Sequence, residues 1–256
     1  VREVCVYGGT FDPPHEYHAS VLPRLAANAR EALDTTDATR ASERAGQLFL
    51  LYVPAARNPL KAAGAIATDR QRLAMLHAAL GAADRDAHTG PTAIWTDELD
   101  RAAFASRRGD VPASYSIDTV RRLRTLLPRS VRVRLWIGAD QALQFHRWRS
   151  ARTLFRVTRP MVLPRGEVAT PAELARALRA TGCWSREEVD LWSRRMLPAP
   201  TREVSSTRVR ELLASARGAS VRWPSELQAA LPAPVAAYIR RHDLYRGSRC
   251  ERVTKG

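Results

Sequence analysis

Two histidines three residues apart, His15 and His18, stand just behind a Gly-Gly pair in the segment GGTFDPPHEYH, residues 8–18. Gly8 and Gly9 follow the apolar run Val4, Cys5, Val6. A strand that ends in glycine lets a phosphate or a purine approach the backbone, because no side chain intervenes. Histidines at i and i+3 lie on one helical face. At a helix start they share the partial positive charge of that end, and two imidazoles there suit a phosphate whose negative charge grows during reaction. Two other readings stay open. The pair could chelate a metal, which would need a third protein ligand; His77 and His88 are available by type, but nothing places them nearby. Or they are two ordinary surface or packed histidines.

SSTRVR, residues 205–210, is a second constellation of the same kind. Ser205, Ser206 and Thr207 at a helix start offer caps and free backbone N–H groups, which together form an anion site. Arg210 lies one turn in and can reach the same anion. Simple helix capping is the plainer reading. WIGAD, residues 136–140, is the third. Gly138 at a strand end allows close approach, Asp140 can accept hydrogen bonds from a ribose or an exocyclic amine, and Trp148 can stack on a flat ring. Core packing is the alternative for both tryptophans.

These residues need a frame, and the pattern reads as alternating strands and helices. Val4–Tyr7 predicts the first strand, with a helix from about His18 to Leu33. LFLLYVP (48–54) is apolar without alternation, as in a strand buried on both faces. Residues 58–67 read as a loop, and Thr68 or Asp69 caps a helix with Leu73, Leu76 and Leu80 on its apolar face. TAIWTDEL (92–99) predicts a third strand and residues 101–114 a loop. Ile117, Val120, Leu123 and Leu127 mark another helix. VRVRLWIG (131–138) predicts a fourth strand and RVTRPMVLPR (156–165) a fifth. The order implies an α/β fold, a Rossmann-like doubly wound parallel sheet, with ligands bound beyond the carboxyl ends of its strands. Gly8, Gly9 and Gly138 should meet at that edge.

Beyond residue 165 the strand pattern stops. TPAELARALRATG (170–182) and SREEVDLWSRRM (185–196) are helices with capping signals, and Gly182 is a C-cap. Residues 203–218 predict a strand-like entry into a capped helix, and 233–245 a last amphipathic helix. The stretch 34–46 reads as an exposed polar insertion. The expected organisation is one domain over residues 1–246, with a helical insertion at about 166–197, a C-terminal helical portion at about 204–246 and a basic tail at 247–256.

The chain has 256 residues, with 41 Lys plus Arg against 26 Asp plus Glu, for a net charge of +15. Such a field attracts polyanions, although solvated surface arginine explains most of it. The aromatic residues are not interleaved with a basic stripe, which argues against nucleic acid as a partner. No run approaches the 18–20 or so apolar residues that a membrane span needs. No signal peptide is visible, and Cys5, Cys183 and Cys250 have neither metal nor disulfide spacing, so a cytoplasmic location is expected. The sequence carries no signal for oligomeric state.

GGTFDPPHEYH, SYSIDT (114–119), IGAD (137–140), SSTRVR and YIRRHDLY (238–245) fall in the order found in nicotinate-nucleotide adenylyltransferases. The chain resembles a bacterial-type member of that family, in the nucleotidyltransferase superfamily, over about residues 3–163 and 200–246. The resemblance implies that ATP and nicotinate mononucleotide are joined to give deamido-NAD and pyrophosphate, in NAD biosynthesis. It implies that Gly8, Gly9, Thr10 and Phe11 line the nucleotide site, and that His15 and His18 hold the ATP phosphates and stabilise the reacting phosphorus. Gly138 and Asp140 would contact adenosine. Ser206, Thr207 and Arg210 would grip the β- and γ-phosphates. Ser116 and Trp148 would face the nicotinate ring and carboxylate. Mg²⁺ would travel on the ATP phosphates and not in a protein cage.

Some positions depart from that pattern. The family commonly has Gly directly before the second histidine, where this chain has Tyr17. Pro14 replaces an aliphatic residue and Ser116 a Thr, and the helical stretch 166–197 is longer than in the family. Three alternatives remain open: a related transferase acting on nicotinamide mononucleotide, one acting on another acceptor such as phosphopantetheine, which the SYSIDT and IGAD pair argues against, or a non-catalytic nucleic-acid binder.

Overall fold

EVCVYGG and LFLLYVP pair at the middle of a parallel sheet, and that is why their apolar runs are unbroken. β1 (Glu3–Gly9) lies between β2 (Leu48–Pro54) and β4 (Arg132–Gly138). β3 (Thr92–Ile94) and β5 (Met161–Leu163) form the edges, in the order β3-β2-β1-β4-β5, all parallel. This is the expected doubly wound α/β sheet. The computed structural model describes residues 3–26, 48–57, 64–83, 91–110, 113–199, 204–216 and 223–245. The polar insertion 34–46, most of the loop at 58–67 and the tail 247–256 lie outside the described residues.

Side chains alternate across the sheet as the pleat requires. Val4 and Val6 enter one core layer with Val53, Leu135 and Ile137. Cys5 and Tyr7 enter the opposite layer with Leu50, Tyr52 and Trp136. A π-helical turn, Tyr17–Val21, covers the second layer and continues as α1 over residues 22–26. α2 (Asp69–Ala83) packs beside it through Leu76 and Leu80, while its Met75 and Ala79 face a third layer. That layer holds α9 (Ser206–Ser215), α10 (Ser225–Ala230) and α11 (Ala233–Arg241), with Val209, Leu213, Val235 and Ile239 buried.

Two local expectations change. Residues 97–99 do not extend a strand, and 101–106 are not loop: α3 (Asp97–Ser106) begins where Asp97, Glu98 and Asp100 supply a first turn rich in acid, which favours a helix N-terminus. The fifth strand covers only Met161–Leu163, because Arg156–Thr158 finish α6 (Ala151–Thr158), whose Leu154, Phe155 and Thr158 share a buried face. Gly8 and Gly9 stand at the end of β1, as expected, and belong to the strand itself. α4 (Ser116–Leu126) forms as its apolar spacing predicts. Gly138 opens the short α5 (Ala139–Leu143).

The stretch after β5 forms α7 (Pro171–Thr181) and α8 (Arg186–Arg194). Each starts with a full capping box, Thr170 with Glu173 and Ser185 with Glu188, and Gly182 ends α7 at φ 66°. Their Leu174, Leu178, Val189 and Trp192 extend the first core layer. The Trp192 ring stands 5.2 Å from Phe145 and 4.9 Å from Phe155. The chain then returns to the free edge of β5: Val162 N donates to Arg195 O at 2.9 Å and Leu197 N donates to Val162 O at 2.8 Å.

Candidate active site

The register Tyr7↔Trp136 carries Gly9 level with Gly138 at the carboxyl edge of the sheet. A cleft of about 630 Å³ opens there. The first histidine segment forms one wall and the start of α9 another, although some 190 residues separate them. Gly8 is exposed at the rim, and a Cβ there would meet nothing within 4 Å. At Gly9 a Cβ would press on the Phe11 ring at 3.0 Å. Phe11 has φ 51° and is buried between Tyr7, Tyr52 and His18, the last at 5.1 Å edge to face. The Thr10 carbonyl accepts from Arg72 Nη1 at 2.5 Å.

His15 and His18 do share one face. Their rings lie 3.9 Å apart, tilted by 32°. They are only 3% and 6% exposed. The His15 backbone N–H donates to His18 Nδ1 at 3.2 Å. Nδ1 of a neutral imidazole that accepts leaves the proton on Nε2. Tyr52 holds the turn by donating its hydroxyl to the His18 carbonyl at 2.6 Å.

Beside this segment, Ser205 caps α9 by accepting from Arg208 N at 3.1 Å. Ser206 Oγ donates to the Pro13 carbonyl at 2.9 Å. Arg210 donates to the Asp12 carbonyl at 2.6 Å and to Thr207 Oγ1 at 3.3 Å. Ser116, the first residue of α4, and Trp148 face the same cleft, with the Trp148 ring stacked on Phe145 at 4.8 Å. Asp140 also lines it and pairs with Arg165 at 3.6 Å. Gly138 is set back, in a small recess shared with Tyr17, His15 and Arg165. A Cβ on Gly138 would run into the Asp140 carboxylate.

A family model described as cytidylyltransferase-like matches residues 6–212. The "Probable nicotinate-nucleotide adenylyltransferase" of Stenotrophomonas maltophilia is 32% identical over 251 residues, 94% of this chain and 95% of that protein. The protein of the same name in Bordetella avium is 30% identical, covering 96% and 99%. The chain belongs to the nicotinate-nucleotide adenylyltransferase family. Its fold is also that of the Plasmodium falciparum nicotinic acid mononucleotide adenylyltransferase complexed with NaAD, at a TM-score of 0.56 and 12% identity, over 96% of this chain and 98% of that one.

Within this adenylyltransferase-family cleft, the two imidazoles are neutral donors and not cations. Burial pushes the His15 pKa from 6.5 down to about 3, with the Arg165 charge adding to the effect. Burial also holds His18 well below its usual value, helped by His15 and Arg165. A buried neutral histidine must gain a proton when the chain unfolds in acid. The unfolded chain therefore binds more protons below pH 6.5, and stability falls as the pH drops, for His15 across the window from 6.5 to about 3. The slope approaches about 1.4 kcal/mol per pH unit for each histidine. Urea unfolding between pH 7 and pH 5 should show this loss, and a His15→Gln/His18→Gln variant should show a flatter dependence. Equal slopes would mean that the pair is already protonated in the folded chain.

Four residues at or behind the site escaped the sequence reading. Asp12 and Arg72 hold the histidine segment, Arg165 stands at the recess, and Glu98 is buried in the cleft wall. Burial raises the Glu98 pKa, opposed by a hydrogen bond from Thr119 Oγ1 at 2.5 Å. Asp12 lies inside the first motif and was open to notice. The others carry no local pattern that points to the cleft: Arg72 reaches the Thr10 carbonyl 62 residues away, Arg165 pairs with Asp140 and Glu98 with Thr119.

Proposed function

We propose that this cleft carries out the reaction of the family: ATP and nicotinate mononucleotide give deamido-NAD and pyrophosphate. One observation supports it above the rest. A neutral histidine pair and a capped helix start bearing Ser206, Thr207 and Arg210 line one cleft, tied together by the bond from Arg210 to the Asp12 carbonyl. Imidazole, hydroxyl and guanidinium donors gathered on one cleft suit the oxygens of a triphosphate. A phosphate oxygen of the mononucleotide attacks the α-phosphorus of ATP in line, the new P–O bond forms, and the bond to the β-phosphate breaks. No covalent enzyme intermediate is needed, so catalysis rests on positioning and on donors aimed at growing charge. His18 and His15 donate hydrogen bonds to the phosphate oxygens at the reacting phosphorus. Arg210, Ser206 and Thr207 receive the leaving pyrophosphate. Gly8 to Phe11 give the nucleotide a backbone floor, with Gly138 and Asp140 at its adenosine end. Ser116 and Trp148 form the acceptor end, where Arg57, Arg147 and Arg149 also line the cleft and favour an anionic acceptor.

Among the described residues, no three His, Cys, Asp or Glu side chains gather into a metal cage. The cleft offers N–H, hydroxyl, imidazole and guanidinium groups, which suit phosphate oxygens. This donor set fits Mg²⁺ carried on the ATP phosphates, where it would neutralise charge. No described helix is long and apolar enough to cross a membrane. Buried free Cys5 supports a reducing, cytoplasmic setting. The shared cleft supports reading residues 1–246 as one catalytic unit, with 166–197 as an insertion on its first core layer.

Purified protein with ATP, Mg²⁺ and either mononucleotide, scored for pyrophosphate, tests the reading. Release with the nicotinate substrate, faster than with the nicotinamide one, is expected. No release with either would overturn it. Arg210→Ala should raise the KM for ATP and weaken pyrophosphate in the reverse reaction by roughly tenfold, since a charge-assisted hydrogen bond contributes about 1.5 kcal/mol or more. Unchanged pyrophosphate affinity would reduce Arg210 to a clamp on the Asp12 carbonyl.

A further inference from the structure

The closing motif YIRRHDLY has no part in the reaction as described, yet its last residue reaches the histidine segment. After α11, the turn at 242–245 bends the chain back, with Asp243 at φ 52° and Tyr245 at φ 63°. Tyr245 is buried in the third core layer with Val235 and Ile239. Its hydroxyl donates to Asp12 Oδ1 at 2.7 Å. Asp12 Oδ1 also accepts from Ala67 N at 3.1 Å, and Oδ2 accepts from Ile66 N at 2.7 Å. This buried carboxylate is thus held by three donors from two distant segments. The carbonyls of Thr10, Asp12 and Pro13 are held in turn by Arg72, Arg210 and Ser206.

We propose that Tyr245 is a positioning residue: its hydroxyl, acting through the Asp12 carboxylate, fixes the segment that aims His15 and His18 into the cleft. The inference rests on the functional reading of that cleft and extends it to the C-terminal turn. Two features support it. The ring and the hydroxyl have separable jobs, the ring filling core and the hydroxyl meeting a charge. And His15 follows Asp12 by only three residues, so a shift of the carboxylate moves the imidazoles. Burial, together with the bond to Asp12, also raises the phenol pKa, which keeps the hydroxyl a donor.

Tyr245→Phe keeps the ring and removes the donor. A hydrogen bond to a charged group is worth roughly tenfold or more when lost, so kcat should fall about tenfold while the KM for the mononucleotide stays within about twofold. Asp12→Asn should lower kcat as well, and adding Tyr245→Phe to it should cost little more, because both act through one contact. Tyr238→Phe, on α11 but with its ring against His242 at 4.2 Å, should behave as the parent chain. The second readout is independent of turnover: the imidazole nitrogen signals of His15 and His18 by NMR should shift in folded Tyr245→Phe and not in Tyr238→Phe. A lower melting temperature with unchanged kcat and unchanged imidazole signals would overturn the proposal, as would fully multiplicative effects of the two variants. If the parent chain releases no pyrophosphate, the functional reading fails, and the NMR comparison still decides whether Tyr245 positions the histidines.

Discussion

His18→Ala should lower kcat by about 10²–10³-fold and change ATP affinity far less, the size expected when one donor aimed at developing charge is lost. The geometry gives the reason to expect the effect on the rate. His18 Nδ1 is occupied by the His15 backbone N–H at 3.2 Å, so the imidazole offers its Nε2–H. Burial keeps it neutral. A neutral donor interacts modestly with ground-state ATP and more strongly as charge gathers on the α-phosphate oxygens. A protonated imidazole would bind both states tightly and spread its contribution between KM and kcat. Removing the ring also leaves a gap beside Phe11 and Tyr7, so folding of the variant is checked by its circular dichroism and melting temperature. Steady-state kinetics with calorimetric ATP binding then separate the two effects. An unaltered kcat would sink the catalytic assignment. A loss confined to ATP affinity would make His18 a binding residue only.

Much of this site was legible because its parts announce their chemistry locally. Glycine at strand ends, histidines at i and i+3, and hydroxyl residues before an arginine each point to an anion site within ten residues, and the fold brings all three to one cleft. The sheet was legible for a related reason: LFLLYVP and VRVRLWIG have no helical period to compete with. The misread segments lack such contrast. In α3 the apolar stripe is almost absent, since Leu99 is followed by Asp100, Arg101, two alanines and an exposed Phe104. Only the acid at its first turn marks it. In RVTRPMVLPR the end of a helix and a three-residue strand run together, and their hydrophobic residues read as one element. The charge state of the histidines was not legible at all, because burial is a tertiary property. Nor were the donors that hold the Asp12 carboxylate, which lie 54, 55 and 233 residues away.

Tyr17→Gly should destabilise the fold and yet hold or tighten ATP binding. The family's pattern has no side chain at this position, which makes a ring swung out at the solvent edge the simplest expectation for Tyr17. The structure places it otherwise. Tyr17 is 8% exposed, at the start of the π-helical turn, and its ring belongs to the second core layer. It lines the recess with Gly138 and Arg165, and its buried hydroxyl has no hydrogen-bond partner there. Burial lifts its pKa to about 12, so it is a neutral phenol at working pH. The recess has almost no free volume, about 10 Å³. A purine entering between Gly138 and the histidines would have to move the ring. Deleting it removes that cost, and affinity for ATP should be kept or improved. Stability should fall for two reasons: a large-to-small change at a buried aromatic costs about 3–5 kcal/mol, and glycine in a helical turn adds roughly 1 kcal/mol. At this chain length the melting temperature should drop by about 10 °C. The opposing case is that the ring stacks on the base and contributes binding; such stacking is worth about 1–3 kcal/mol, so its loss would weaken ATP roughly 5- to 150-fold. Titration of the folded variant with ATP, at a temperature below its transition, separates the two. Weakening by tenfold or more would make Tyr17 part of the purine site, while tighter binding would identify it as the side chain that fills the site until ATP displaces it.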